Sequence, residues 1–218
     1  MTIDFIADRR LHAKSQPEKT SRWPRTERRQ ARVRSVIERR QPDLTVVLED
    51  VHDPHNVSAI LRTCDAVGIL RVHLVYSIET PPESVFARTT SASAAKWVAT
   101  RRHASIAGCY ASLKAEGLTI LATTLTGERH DIFGCNLVEP MALVFGNEMR
   151  GLSPEALDHA DKHVAVPMMG MVQSLNISVA CAVSLYEALR QRRHVGFYDE
   201  PRLSVDERQL IEEDWIRR

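Results

Sequence analysis

Two hydrophobic periods alternate along this chain. Short, almost continuous apolar runs occur at 44–48, 71–76, 118–123 and 141–145, each bounded by polar or turn-forming residues, and read as buried strands. Between them apolar residues recur at helical spacing. Val57, Ile60, Leu61, Cys64 and Val67 share one face of a helix expected over 57–67, with Asn56 as its N-cap and Gly68 just past its end. A second helix is expected over 104–116, closed by Gly117, after a short strand at 97–100. Ser153 followed by Pro154 predicts the start of a short helix.

The ends read differently. Residues 1–26 are polar, interrupted by Pro17 and Pro24, and are expected to be partly disordered. Residues 26–40 predict an arginine-rich helix whose modest apolar face is Ala31, Val33, Val36 and Ile37, stopped by Pro42 and Asp43. Residues 77–95, with Pro81 and Pro82, read as loop, and an amphipathic helix is expected from Leu203 to about Trp215.

The most unusual stretch is 164–193, VAVPMMGMVQSLNISVACAVSLYEALRQRR. A short strand enters a methionine-rich loop, and a helix follows that is apolar nearly all round from Ile177 to Leu189. Only Ser178, Ser184 and Glu187 interrupt it. A surface helix carries one apolar stripe, so burial on two sides is expected, against its own sheet and against a second copy of the chain. The strand–helix alternation predicts an α/β fold with a mostly parallel sheet covered on both faces. Ligands of such sheets bind beyond the carboxyl ends of the strands.

Composition narrows the class. The chain has 218 residues, 44% hydrophobic and 26% charged, which suits one α/β core with terminal extensions. No apolar run reaches the ~18 residues of a membrane span, and the basic N-terminus lacks the apolar region of a secretory leader. Cys64, Cys109, Cys135 and Cys181 show no paired spacing, so reduced thiols and a cytoplasmic location are expected. Charge is uneven: residues 1–40 hold 12 Lys/Arg and 5 Asp/Glu, while the remainder is net acidic. A basic arm on an acidic body suits a polyanionic partner, although a solvated tail would look the same.

Three motifs sit at strand ends. The first is EDVHDPHNVSAILR at 49–62, where Arg62 points away from the apolar face and is free to reach a ligand or to pair with Asp65 or Asp158. The second is LVFGNEMRGLS at 143–153, a strand, a glycine and then polar residues, without the lysine–serine pair of a phosphate loop or a GxGxxG. The third is the 166–180 stretch, in which Ser174 and Asn176 suit helix capping and Met168, Met169 and Met171 suit core filling. His52, Asp53 and His55 match no zinc spacing, and no metal is expected.

Taken in order, HNVSAILRTCDAVG at 55–68, LVFGNEMRGLS at 143–153 and VPMMGMVQSLNISVA at 166–180 resemble the SPOUT superfamily of AdoMet-dependent RNA methyltransferases, in its TrmH branch of ribose 2′-O-methyltransferases. The resemblance covers about 41–193, between a basic extension at 1–40 and a helical tail at 194–218. It implies a deep trefoil knot in the C-terminal part of the sheet. It also implies S-adenosyl-L-methionine held through backbone groups near Thr123, Gly146, Val166 and Leu175, and a homodimer whose site draws on both chains. Arg62, Asn56, Glu148, Ser174 and Asn176 match the family's catalytic positions. GMVQSLN resembles the tRNA enzymes that methylate guanosine 18 of the D-loop, and Arg28, Arg29 and Arg32 with Arg190, Arg192 and Arg193 match their tRNA-binding extensions in character. A methyltransferase of ribosomal RNA or of another tRNA position, a non-catalytic RNA-binding protein and a small-molecule binder are the alternatives.

Overall fold

The computed structural model describes residues 27–78 and 96–218. The expectations for the first 26 residues, and for most of the 77–95 loop, lie outside the described residues. The elements, in order, are α1 (Glu27–Ile37), β1 (Leu44–Glu49), α2 (Pro54–Val67), β2 (Arg71–Val75), β3 (Ala99–His103), α3 (Ile106–Ala115), β4 (Thr119–Thr123) and β5 (His130–Asp131). A 3-10 turn follows at Ile132–Gly134, then β6 (Met141–Phe145), α4 (Pro154–Asp158), β7 (Lys162–Ala165), α5 (Ile177–His194) and α6 (Val205–Arg217).

The strands form one sheet in the order β3-β2-β1-β6-β4-β7-β5, and every ladder in it is parallel. Val46 stands opposite Val72 on one side and Leu143 on the other, and Leu143 stands opposite Leu121. β1 and β6 are buried along their whole length. That is why they read as continuous apolar runs, since both faces of a central parallel strand are covered. One cover is α2 and α5, whose Ile60, Leu61, Cys64, Cys181, Leu185 and Ala188 pack with Val46 and Leu143. The other is α3 and α4, whose Cys109, Tyr110, Leu113 and Ala156 pack with Val47 and Val144.

The two termini form a third cluster. Val33 and Ile37 of α1 pack with Leu203 and with Ile211 and Trp215 of α6, over Leu70 at the start of β2. Trp97 meets Trp215 edge-on, with centroids 5.0 Å apart. That contact holds Trp97 out of the sheet, so β3 begins at Ala99 and runs to His103, later than the strand expected at 97–100. Arg40 is fully buried, donating to Ile69 O at 2.9 Å and to Asp65 Oδ1 at 2.5 Å, with its guanidinium 4.9 Å from the Trp215 ring centroid. Burial lowers its pKa even against the pull of Asp65.

Three further expectations change. Asn56 is not the N-cap of α2. Asp53 is, accepting from His55 N at 2.9 Å, and the helix starts at Pro54, whose missing N–H costs nothing there. The loop after β4 contains the short edge strand β5 and a 3-10 turn, too brief to show a period. Arg192 does not join a basic surface. It is fully buried, bonded to Asp43 at 2.6 Å, Leu137 O at 3.0 Å and Glu139 O at 2.9 Å. The α5 helix is covered by its own sheet on one side only, with Val179 and Tyr186 about half exposed on the other.

Candidate active site

A parallel sheet collects its strand exits at one edge. Here the exits of β1, β6, β4 and β7 are adjacent in space, although they are far apart in sequence. The three sequence motifs leave from β1, β6 and β7, so the topology alone brings them together.

At this edge, Asn56 lies in the first turn of α2 and is nearly buried. Its Nδ2 donates to Glu148 Oε1 at 2.7 Å, and its Oδ1 accepts from Asn176 Nδ2 at 3.1 Å. Asn176 also caps α5, its Oδ1 accepting from Ser178 N at 2.8 Å. One residue from each motif therefore forms a single hydrogen-bonded line. The capping role expected of Asn176 holds, and the same side chain spends its N–H on Asn56. An amide in the middle can both accept from Asn176 and donate to a carboxylate.

Arg62 and Ser174 stand outside this line. Arg62 is exposed and forms no ion pair with any described residue. Asp65, one of its two possible partners, is taken by Arg40. Arg62 lies six residues along α2 from Asn56, roughly 9 Å of helix axis. Ser174 is exposed, on the loop before α5.

A cleft of about 390 Å³ opens beside Asn56 and Glu148, lined further by His52, Asp53, Ile78, Asn147, Met149 and Arg150. Five of these lie within the quoted motifs and Ile78 follows β2 outside them, and composition alone does not mark any of the six. The usable signal is position, since each follows directly on a strand of a parallel sheet.

Thr123, Gly146 and Val166 mark the exits of the neighbouring strands β4, β6 and β7, and Leu175 precedes α5. All four are half-buried. Thr123 Oγ1 donates to Val144 O at 2.8 Å and ties β4 to β6. The close approach that Gly146 allows is to its own chain. A Cβ there would lie 2.3 Å from the Gly151 carbonyl carbon, because Asn147 and Gly151 exchange both backbone hydrogen bonds, at 3.0 and 2.8 Å. The segment 166–175 has no backbone hydrogen bond to any described residue. Residues 169–174 are exposed, so these backbone donors and acceptors are open to solvent or to a ligand rather than spent on the fold. S-adenosyl-L-methionine, rich in donors and acceptors, is the kind of ligand such a segment can hold.

Charges complete the site's setting. Arg28, Arg29, Arg32 and Arg193 are exposed, and Arg190 is exposed but bonded to Glu187 at 2.7 Å, which lowers the Glu187 pKa. Among the described residues one group, His73, His103 and Cys109, has the composition of a metal site. Its geometry is that of a hydrogen bond, His73 Nδ1 lying 2.8 Å from His103 Nε2, so the lone pairs do not converge on a common point. Burial first, then His103, Arg71 and Arg101, push the His73 pKa well down. Burial also pushes the Cys109 thiol up to about 12. No helix among the described residues is long and apolar enough to cross a membrane.

Comparison with known proteins agrees with this edge. A model of the SpoU rRNA methylase family matches residues 43–186. The tRNA (guanosine(18)-2′-O)-methyltransferase of Thermus thermophilus is 48% identical over 194 residues, covering 89% of this chain and 98% of that one. The crystal structure of the Aquifex aeolicus TrmH/SpoU tRNA modifying enzyme superposes with a TM-score of 0.75 at 40% identity, covering 87% of this chain and 95% of that one. The SpoU methyltransferase AviRb of Streptomyces viridochromogenes, in complex with AdoMet, gives a TM-score of 0.60 at 27% identity over 72% of this chain and 62% of that one. The chain therefore belongs to the SpoU rRNA methylase family and, within it, to the TrmH branch.

Proposed function

We propose that this protein transfers a methyl group from S-adenosyl-L-methionine to the ribose 2′-oxygen of guanosine 18 in the D-loop of tRNA. The observation that carries the reading is the line Asn176–Asn56–Glu148. It joins the three motifs in one place, in a chain that shares nearly half its residues with a tRNA (guanosine(18)-2′-O)-methyltransferase over almost the full length of that enzyme.

The bound S-adenosyl-L-methionine supplies an electrophilic methyl group. The protein's part is alignment and charge. Thr123, Gly146, Val166 and Leu175 hold the donor through backbone groups at the exits of three adjacent strands. Arg62 grips the substrate phosphate and ribose hydroxyl and stabilises the negative charge that grows on the 2′-oxygen. A guanidinium does not give up its own proton in a protein, so its contribution is electrostatic, with the substrate phosphate as the proton's first acceptor. Asn56 fixes Arg62 or the ribose, and Glu148, Ser174 and Asn176 position the nucleotide or the methionine end of the methyl donor. Proper alignment of attacking oxygen, carbon and leaving sulfur supplies much of the rate.

The reading includes a homodimer, with the open Val179 and Tyr186 face of α5 covered by a second copy. It also includes the knotted C-terminal threading of the family and a cytoplasmic location. The α1–α6 unit sits over the start of β2, whereas the site is at the strand ends. A five-residue strand spans about 17 Å, so a partner touching both the basic helix and the site must reach at least that far, as a tRNA does. Arg28, Arg29, Arg32, Arg190 and Arg193 would meet its phosphates. Digesting the reacted tRNA to nucleosides tests the chemistry. The expected product is 2′-O-methylguanosine, and a base-methylated nucleoside would refute it.

A further inference from the structure

Two residues beside the cleft have no part in the reading above. Asp50 leaves β1 with φ of 52°, the one non-glycine residue in the left-handed region among the described residues. Aspartate tolerates this better than most residues, yet such a conformation persists only where its surroundings impose it.

Those surroundings are specific, and Asp50 is nearly buried among them. Its N–H donates to Val75 O at 2.9 Å. Its carboxylate accepts from Ser77 N at 2.9 Å, Ser77 Oγ at 2.8 Å and Ile78 N at 3.4 Å. Its carbonyl accepts from Asn147 Nδ2 at 2.9 Å. Asn147 Oδ1 in turn accepts from Met149 N at 3.0 Å and Arg150 N at 3.1 Å. The amide has one sensible orientation, because a flip would set its oxygen against a carbonyl and its NH2 against two N–H groups.

The consequence falls on Glu148. Its side chain is exposed and meets Asn56 through one hydrogen bond, so only the loop can keep it in place. That loop is closed by the Asn147–Gly151 pair and held beyond its far end by buried Glu49, which accepts from Ser153 N at 2.8 Å and Ser153 Oγ at 2.6 Å. Asn147 is the tie at its near end.

We propose that Asp50 and Asn147 are positioning residues, which lock the exits of β1, β2 and β6 into one unit and thereby hold Glu148 against Asn56 for methyl transfer. The catalytic side of this proposal rests on the function proposed above; its geometric side does not.

Three variants test it in the full-length protein. N147D keeps the acceptor for Met149 N and Arg150 N but sets an oxygen against the Asp50 carbonyl. D50G relieves the backbone and removes the carboxylate with its three hydrogen bonds, while the carbonyl that accepts from Asn147 stays. D50N keeps one acceptor and the left-handed preference, and should recover most of what D50G loses. For N147D and D50G we expect kcat to fall at least tenfold with AdoMet affinity within twofold of wild type. The side-chain amide resonance of Asn56, read by 15N NMR, should lose the downfield shift of its bond to Glu148. A kcat within twofold of wild type, or an Asn56 resonance that does not move, overturns the proposal. Should wild-type protein transfer no methyl group, the proposed function fails, and the Asn56 resonance alone decides the positioning role.

Discussion

Asn56 stands between two partners, accepting from the Asn176 amide at 3.1 Å and donating to the Glu148 carboxylate at 2.7 Å. The N56D variant changes almost no volume, but it places one carboxylate against another. Like charges at that separation cannot both keep the contact. We expect kcat to fall by about 10²-fold, on the scale of losing one preorganised hydrogen bond in an active site. Binding of AdoMet, measured calorimetrically, should be retained.

Arg62 offers a sharper separation between charge and shape. R62K keeps the positive charge and loses the planar fork that grips a phosphate and a hydroxyl together. The expected loss is about 10²–10³ in kcat, again with AdoMet binding intact. Near-normal turnover by the Lys variant would remove Arg62 from the chemistry.

Arg192 and Arg193 are neighbours with opposite fates. The Arg192 side chain is fully buried against Asp43, and Arg193 is exposed. R192A should destabilise the fold by about 3 kcal/mol, read by urea unfolding, because it removes a fully buried guanidinium and leaves Asp43, Leu137 O and Glu139 O short of a donor. The loss is kept from being larger by Arg202, which also bonds Asp43 at 2.7 Å. R193A should leave stability alone and reduce the slope of log affinity for tRNA against log salt by about 0.7–0.9. Equal melting of the two variants would contradict the burial argument.

His73 makes stability depend on pH. Burial, helped by His103, Arg71 and Arg101, holds its pKa well below the ordinary 6.5. In the unfolded chain it takes a proton as pH falls past that value, while the native state refuses it. Stability is therefore fully present above 6.5 and is lost as pH falls towards the folded pKa, at up to about 1.4 kcal/mol per pH unit. Urea unfolding should show a steeper acid loss for wild type than for H73F. Parallel pH profiles for the two would rule out this histidine as the source.

The sheet was readable because its central strands are buried on both faces and its helices keep one clean apolar stripe. Val57, Ile60, Leu61, Cys64 and Val67 all fall in the core, as their spacing predicts. Capping was less readable. Asn56 and Asp53 are both good N-cap residues, and the proline at 54 gave the start of α2 to Asp53. The chemistry was readable only as a resemblance. Nothing in the spacing of Asn56, Glu148 and Asn176 along the chain brings them within hydrogen-bonding distance. The strand order does so, by setting β6 beside β1 and returning β7 to the same edge. Arg192 misled for a related reason. Three arginines at a helix end look like a basic patch, but on a helix Arg192 faces the core beside Ala188, and only Arg190 and Arg193 face out.

The central claim is methyl transfer to one ribose. Two tRNA transcripts, identical except that adenosine replaces guanosine at position 18, would be incubated with the protein and tritiated AdoMet. The account predicts label in the guanosine transcript and none in the other. Equal label in both would show that the methyl group goes elsewhere, and no label in either would contradict the proposed reaction on tRNA itself.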